Sequence, residues 1–100
     1  MKENNQVLSE TVIQTLVDTY PGWTYYKETE ISYLSFDCQF SSFQSAFLFL
    51  TKLAFVSETL DHHAEIWNLY KHVKLKLYTH TSNLITEKDS KFVNLLMSKD

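Results

Sequence analysis

The stretch "ISYLSFDCQFSSFQSAFLFLTKLAFV", residues 31–56, changes its period part-way along. Up to Phe40 it alternates, with Leu34, Phe36, Cys38 and Phe40 on one side, which is the pattern of a half-buried strand. From Ser41 the alternation stops. Phe43, Ala46, Phe47, Leu50 and Ala54 then recur at helical spacing, and Ser41 is placed to cap the helix they define. Leu48, Phe49, Phe55 and Val56 fall outside that stripe, so the helix is apolar nearly all round. One face is expected to cover a sheet, and the other to meet a second helix, a partner subunit or more of its own domain.

Working outward, "ETVIQTLVDTY" (10–20) carries Val12, Ile13, Leu16 and Val17 at helical spacing, with Ser9 as N-cap and Pro21-Gly22 as the stop. "WTYYKE" (23–28) is aromatic and β-branched and pairs with the alternating strand in a hairpin around Thr29 and Glu30. Beyond the long helix, "WNLY" and "VKLKLYTH" read as strands. The second places Val73, Leu75, Leu77 and Thr79 inward and Lys74, Lys76, Tyr78 and His80 on the opposite face. Thr86 opens a last helix with Phe92, Val93 and Leu96 as its buried stripe. The order is α-β-β-α-β-β-α. It predicts a single α+β domain, a four-stranded antiparallel sheet with helices packed on one face. Residues 1–7 are read as a disordered N-terminal extension.

Composition narrows the function classes. One hundred residues with 44% hydrophobic content fit one globular domain, and fifteen aromatics in so small a chain favour a homodimer or homotetramer. The single cysteine, Cys38, can make no internal disulfide, and no N-terminal run has the form of a signal peptide, so a cytoplasmic location is expected. The apolar run from Ala46 to Val56 is interrupted by Thr51 and Lys52 and is far short of the roughly 20 residues that span a bilayer. Net charge is −3 and all nine basic residues are Lys, which removes the planar fork used to read guanine or phosphate. No direct nucleic-acid binding is expected. The Lys71, Lys74 and Lys76 cluster reads as a solvated strand face.

The chemistry concentrates in "ETLDHHAEIWNLY" (58–70). Glu58 stands one turn before His62, so the two are expected to pair at i, i+4, and the helix C-terminus adds partial negative charge beside His62 and His63. Both effects favour the imidazolium, which suits a general acid near neutral pH. A metal site is not expected, because adjacent histidines at a helix end diverge and neither an H-x-x-x-H pair nor a cysteine pair is present. Asp89 follows Thr86 by three residues, so "TEKD" also reads as a variant capping box. His72, between two lysine-bearing positions, reads as structural or exposed.

The spacing itself is recognisable. Glu58, three residues, His62-His63, Ala64, five residues, Tyr70, nine residues, His80, eight residues, Asp89 resembles the pterin-4a-carbinolamine dehydratase signature E-x(3)-H-H-P-x(5)-Y-x(9)-H-x(8)-D. "LDHHAEIWNLYKHVKLKLYTH" is similar to that family's L-D-H-H-P-E-W-F-N-V-Y-x-x-V-x-I-x-L-x-T-H, and "PGW" and "FQSAFLFLTKLA" resemble its first strand and long helix. The chain departs from the pattern at Ala64 for Pro, Ile66 for Trp, and Asn83-Leu84 for Gly-Gly. The resemblance implies a hydro-lyase that removes water from a 4a-hydroxytetrahydropterin to give the quinonoid dihydropterin, needing no metal or further cofactor. It implies His62 and His80 as an acid/base pair, His63 as substrate-binding group or second acid, and Glu58, Asp61 and Asp89 as orienting and tuning groups. Trp67, Tyr70 and Thr79 would bind the substrate. The alternative is a non-catalytic dimerisation module, since the family also resembles coactivators that bind a protein partner through helix surfaces such as Leu48, Phe49 and Phe55.

Overall fold

A computed structural model describes residues 6–99. The elements are α1 (Glu10–Thr19), β1 (Trp23–Lys27), β2 (Ser32–Gln39), α2 (Phe43–Leu60), β3 (Glu65–Leu69), β4 (His72–Leu77) and α3 (Glu87–Met97). The four strands form one antiparallel sheet in the order β1-β2-β4-β3. The expected order and architecture are those observed. Ser9 Oγ accepts the Val12 N–H at 3.3 Å to cap α1, and Glu28 N–H to Ile31 O at 2.9 Å closes the β1–β2 hairpin.

All three helices lie on the face that carries Leu34, Phe36, Val73, Leu75 and Leu77. Against these pack Ile13, Leu16 and Val17 of α1, Ala46, Leu53 and Val56 of α2, and Phe92, Val93 and Leu96 of α3. Alternation in β4 and 3.6-residue spacing in the helices thus meet in one core. Gly22 makes the turn into β1 with φ +97, and a Cβ there would stand 2.8 Å from Phe36 Cε1. Only glycine fits both the angle and the gap.

The long helix departs from expectation in two ways. Its cap is Ser42, whose Oγ accepts the Ser45 N–H at 3.0 Å, one residue later than Ser41. Its buried face is Ala46, Leu53, Val56 and Ser57, with Phe49 and Leu50 beside it, while Phe43 and Phe47 point outward. Phe49 stacks on Phe36 at 5.2 Å and meets Phe40 at 5.1 Å, so it belongs to the core and not to an outer surface. Phe47, Leu48 and Phe55 form the true outer face, Phe55 with 71% of its surface exposed.

Gln6 and Val7, expected to lie in an N-terminal extension, pair with the start of α3. Val7 bridges Thr86, Glu87 N–H donates to Gln6 O at 3.0 Å, and Leu8 N–H donates to Ile85 O at 3.0 Å. Residues 1–5 of that extension lie outside the described residues. No helix among the described residues is long and apolar enough to cross a membrane.

Cys38 sits partly buried at the edge of the core. Burial pushes its thiol pKa up, and the neighbouring Asp37 carboxylate adds to the rise. A raised pKa lowers the thiolate fraction at any given pH, and the thiolate is the nucleophile. Alkylation by iodoacetamide at pH 8 is therefore expected to be slower in the folded protein than in urea, with the gap closing as pH rises. Equal rates folded and unfolded would contradict the placement.

Candidate active site

The site is assembled where the C-terminus of α2 meets the N-terminus of α3 and the end of β4. Helix α2 stops at Asp61, which takes the left-handed conformation at φ 51 and ψ 49. Aspartate is among the few residues other than glycine that tolerate this region. His62 N–H then reaches back to Ser57 O at 3.0 Å, the six-to-one bond of a Schellman turn. That turn sends the adjacent histidines in different directions.

His62 turns inward. Its side chain is 7% exposed, its Nε2 lies 2.6 Å from Asp89 Oδ1, and its ring meets Phe92 edge-on at 6.0 Å. Asp89 is fully buried at the third position of α3. Its other oxygen, Oδ2, accepts the Thr79 hydroxyl at 2.8 Å and the Thr86 N–H at 2.9 Å, while Thr79 Oγ1 and Thr86 Oγ1 are 2.6 Å apart. The capping box read from "TEKD" is present. One carboxylate thus closes the start of α3 and holds the imidazole of His62.

The expected pairing of Glu58 with His62 is not formed. Helix geometry places i and i+4 side chains together only while the helix continues, and the left-handed Asp61 breaks it first. Glu58 Oε2 instead lies 3.5 Å from His63 Nε2, with side chains 80% and 60% exposed. Such a pair contributes little.

A cleft of about 210 Å³ opens beside this network, lined by Asp61, His62, His63, Thr79, His80, Thr81 and Lys88. It brings together the three histidines, Asp61 and Thr79 of the sequence reading, with Asp89 directly behind His62. Thr79 is 3% exposed and spends its hydroxyl on Asp89, so its polar contact is with the network and not with the opening. Trp67 and Tyr70 do not line this cleft. Trp67 sits on the outer sheet face under Lys74, whose Nζ is 4.6 Å from the ring centroid, and Tyr70 occupies the β3–β4 turn with φ 55. Alternation in β3 puts Trp67 opposite Lys74 and hence on the side away from the helices.

Residues missed from the sequence are Thr86, Thr81 and Lys88. Thr86 was visible as a cap, but its hydroxyl contact to Thr79 depends on a hydrogen bond across the fold. His72 pairs with Asp37 at 2.7 Å on the outer face, away from the cleft. Among the described residues no three His, Cys, Asp or Glu side chains converge as metal ligands.

The family model for pterin 4 alpha carbinolamine dehydratase matches residues 6–97. A protein of Christiangramia forsetii carrying that family's name is 36% identical over 89 residues, covering 89% of this chain and 88% of its own. One from Prochlorococcus marinus strain SARG is 38% identical over 92 residues, with 92% of each chain covered. The crystal structure of a transcriptional coactivator/pterin dehydratase from Brucella melitensis superposes with a TM-score of 0.78 at 31% identity, covering 91% of this chain and 95% of that one. A pterin dehydratase-like protein identified as a RuBisCO assembly factor in the alpha-carboxysome shares the fold, with a TM-score of 0.56 at 19% identity, over 78% of this chain and 93% of that one. The chain belongs to the pterin-4-alpha-carbinolamine dehydratase family.

Proposed function

We propose that this protein is a cytoplasmic hydro-lyase that dehydrates a 4a-hydroxytetrahydropterin to the quinonoid dihydropterin, returning the cofactor of an aromatic hydroxylase to its recycling route. The observation that carries the reading is the cleft lined by His62, His63 and His80 with the buried Asp89 behind His62. The reaction needs one proton delivered to the departing hydroxyl as the C4a–O bond breaks, and one proton taken from the adjacent ring nitrogen as the C=N bond forms. Protons balance without metal or redox cofactor. Donation of Nε2–H to Asp89 would fix the tautomer of His62 and leave Nδ1 for chemistry, while His80 at the cleft mouth supplies the partner group. His63 and Lys88, which also line the cleft, would bind the substrate or serve its second face. At about 210 Å³ the cleft is below the usual range for drug-sized ligands, which suits a compact bicyclic ring.

The test is turnover of a synthetic 4a-hydroxytetrahydropterin by micromolar protein, with chelator present. Acceleration well above buffer is expected. A rate equal to background would sink the enzymatic reading and favour a binding module.

A second reading has its own observation. Phe47, Leu50, Thr51, Ala54, Phe55 and Glu58 of α2 line a hollow of about 330 Å³ that is almost wholly apolar. We propose that this face self-associates into a homodimer or homotetramer; a protein partner of coactivator type would use the same surface. Phe55→Glu would set a charge in any such contact, and closed symmetry repeats it on both sides. The variant is expected to run as a smaller species in light scattering with an unchanged far-UV spectrum. A parent already monomeric at tens of micromolar would remove the basis for the assembly.

A further inference from the structure

The three cleft histidines are held in three different ways. His62 is hydrogen-bonded to a buried carboxylate and His63 faces an exposed one. His80 is exposed, and its ordered contact among the described residues is a ring: Tyr78 lies parallel to it, centroids 4.3 Å apart and planes 9° from coplanar. The burial pattern continues past the end of β4, with Leu77 and Thr79 buried and Tyr78 and His80 not, which sets the two rings on the same side. Tyr78 is itself held in a row. Lys76 Nζ lies 5.9 Å from the Tyr78 centroid and 4.4 Å over Tyr33, and Tyr33 stacks on Tyr26 at 5.3 Å.

We propose that Tyr78 is a positioning residue, whose ring fixes the imidazole of His80 at the cleft mouth. Stacking restrains the plane of His80 while consuming neither ring nitrogen. A hydrogen bond, as at His62, would commit one of them. His80 therefore keeps both nitrogens for the groups it faces across the opening, which are Asp61, His62, His63, Lys88 and whatever the cleft binds. Without the ring, an exposed imidazole on the loop after β4 would sample several rotamers, and only a fraction would aim into the cleft.

The catalytic consequence rests on the dehydratase reading, whereas the geometry of the pair does not. Two measurements therefore go together. In the NMR spectrum, the ring protons of His80 are expected to be shifted upfield by Tyr78, to move downfield in Tyr78→Ala, and to stay put in Tyr78→Phe. In turnover, Tyr78→Ala is expected to lose about tenfold in kcat with a smaller change in KM, by the usual cost of a loosened catalytic group, and Tyr78→Phe to retain most of the rate. His80 signals that do not move in Tyr78→Ala would overturn the proposal, as would unchanged kcat despite a shift. If the parent shows no turnover, the dehydratase reading fails separately. Titration with a stable dihydropterin, followed on the His80 signals, then decides Tyr78: weaker binding in the Ala variant and recovery in the Phe variant support the role, and equal affinity refutes it.

Discussion

Asp89→Ala is expected to destabilise the domain by about 3–5 kcal/mol, the usual cost of removing one partner from a buried charged or hydrogen-bonded pair. The change leaves the Thr86 N–H, the Thr79 hydroxyl and His62 Nε2 without the acceptor they share, in a region where Thr86 and Asp89 are fully buried. A domain of this size has only about 5–15 kcal/mol in total. The melting temperature should fall by more than about 10 °C, read by far-UV circular dichroism. Asp89→Asn keeps a carbonyl for Thr86 or Thr79 but presents an amide, so it should lose less stability while still disturbing His62. An Ala variant that melts with the parent would show that the network is not energetically coupled to the fold.

Replacing either His62 or His80 by Ala should lower kcat by about 10² to 10⁴-fold, the range for a positioned acid or base. The two variants should differ in stability. His62 is buried against Phe92 and Asp89, so its removal also costs the fold, whereas His80 is exposed and its loss should leave the melting temperature near that of the parent. If the two histidines serve one proton-transfer cycle, the double variant should be little slower than the worse single one. Retention of more than about a third of the parent rate in either single variant would remove that histidine from its assigned place, since so small a loss is far below the acid/base range.

What could be read from the residues follows how strictly each pattern excludes its alternatives. Strand β4 alternates Val73, Lys74, Leu75, Lys76, Leu77, and a one-residue slip would bury two lysines, so its inner face was unambiguous and is the one observed. Helix α2 offers apolar side chains on almost every side, so several stripes satisfy the same period. The core selected the one through Ala46, Leu53 and Val56. The histidines, Asp89 and their spacing were legible as a set. Their partners were not: the Glu58–His62 expectation needs the helix to run through Asp61 to His62, two residues past Leu60, which the left-handed Asp61 prevents. Tyr78 was correctly placed off the core face, but nothing in its spacing alone signalled the parallel stack on His80.

The double duty of Asp89 bears on how relatives of this chain can be sorted. If the proposed dehydration is right, a lineage that gave it up would still need an acceptor at this position, since Asp89 closes the capping box of α3. His63 and His80 carry no such structural obligation and would drift once substrate no longer constrained them. On the proposed function, the buried aspartate would answer to the fold in a set of related sequences, and the two exposed imidazoles would be the better witnesses to whether a given member still turns over.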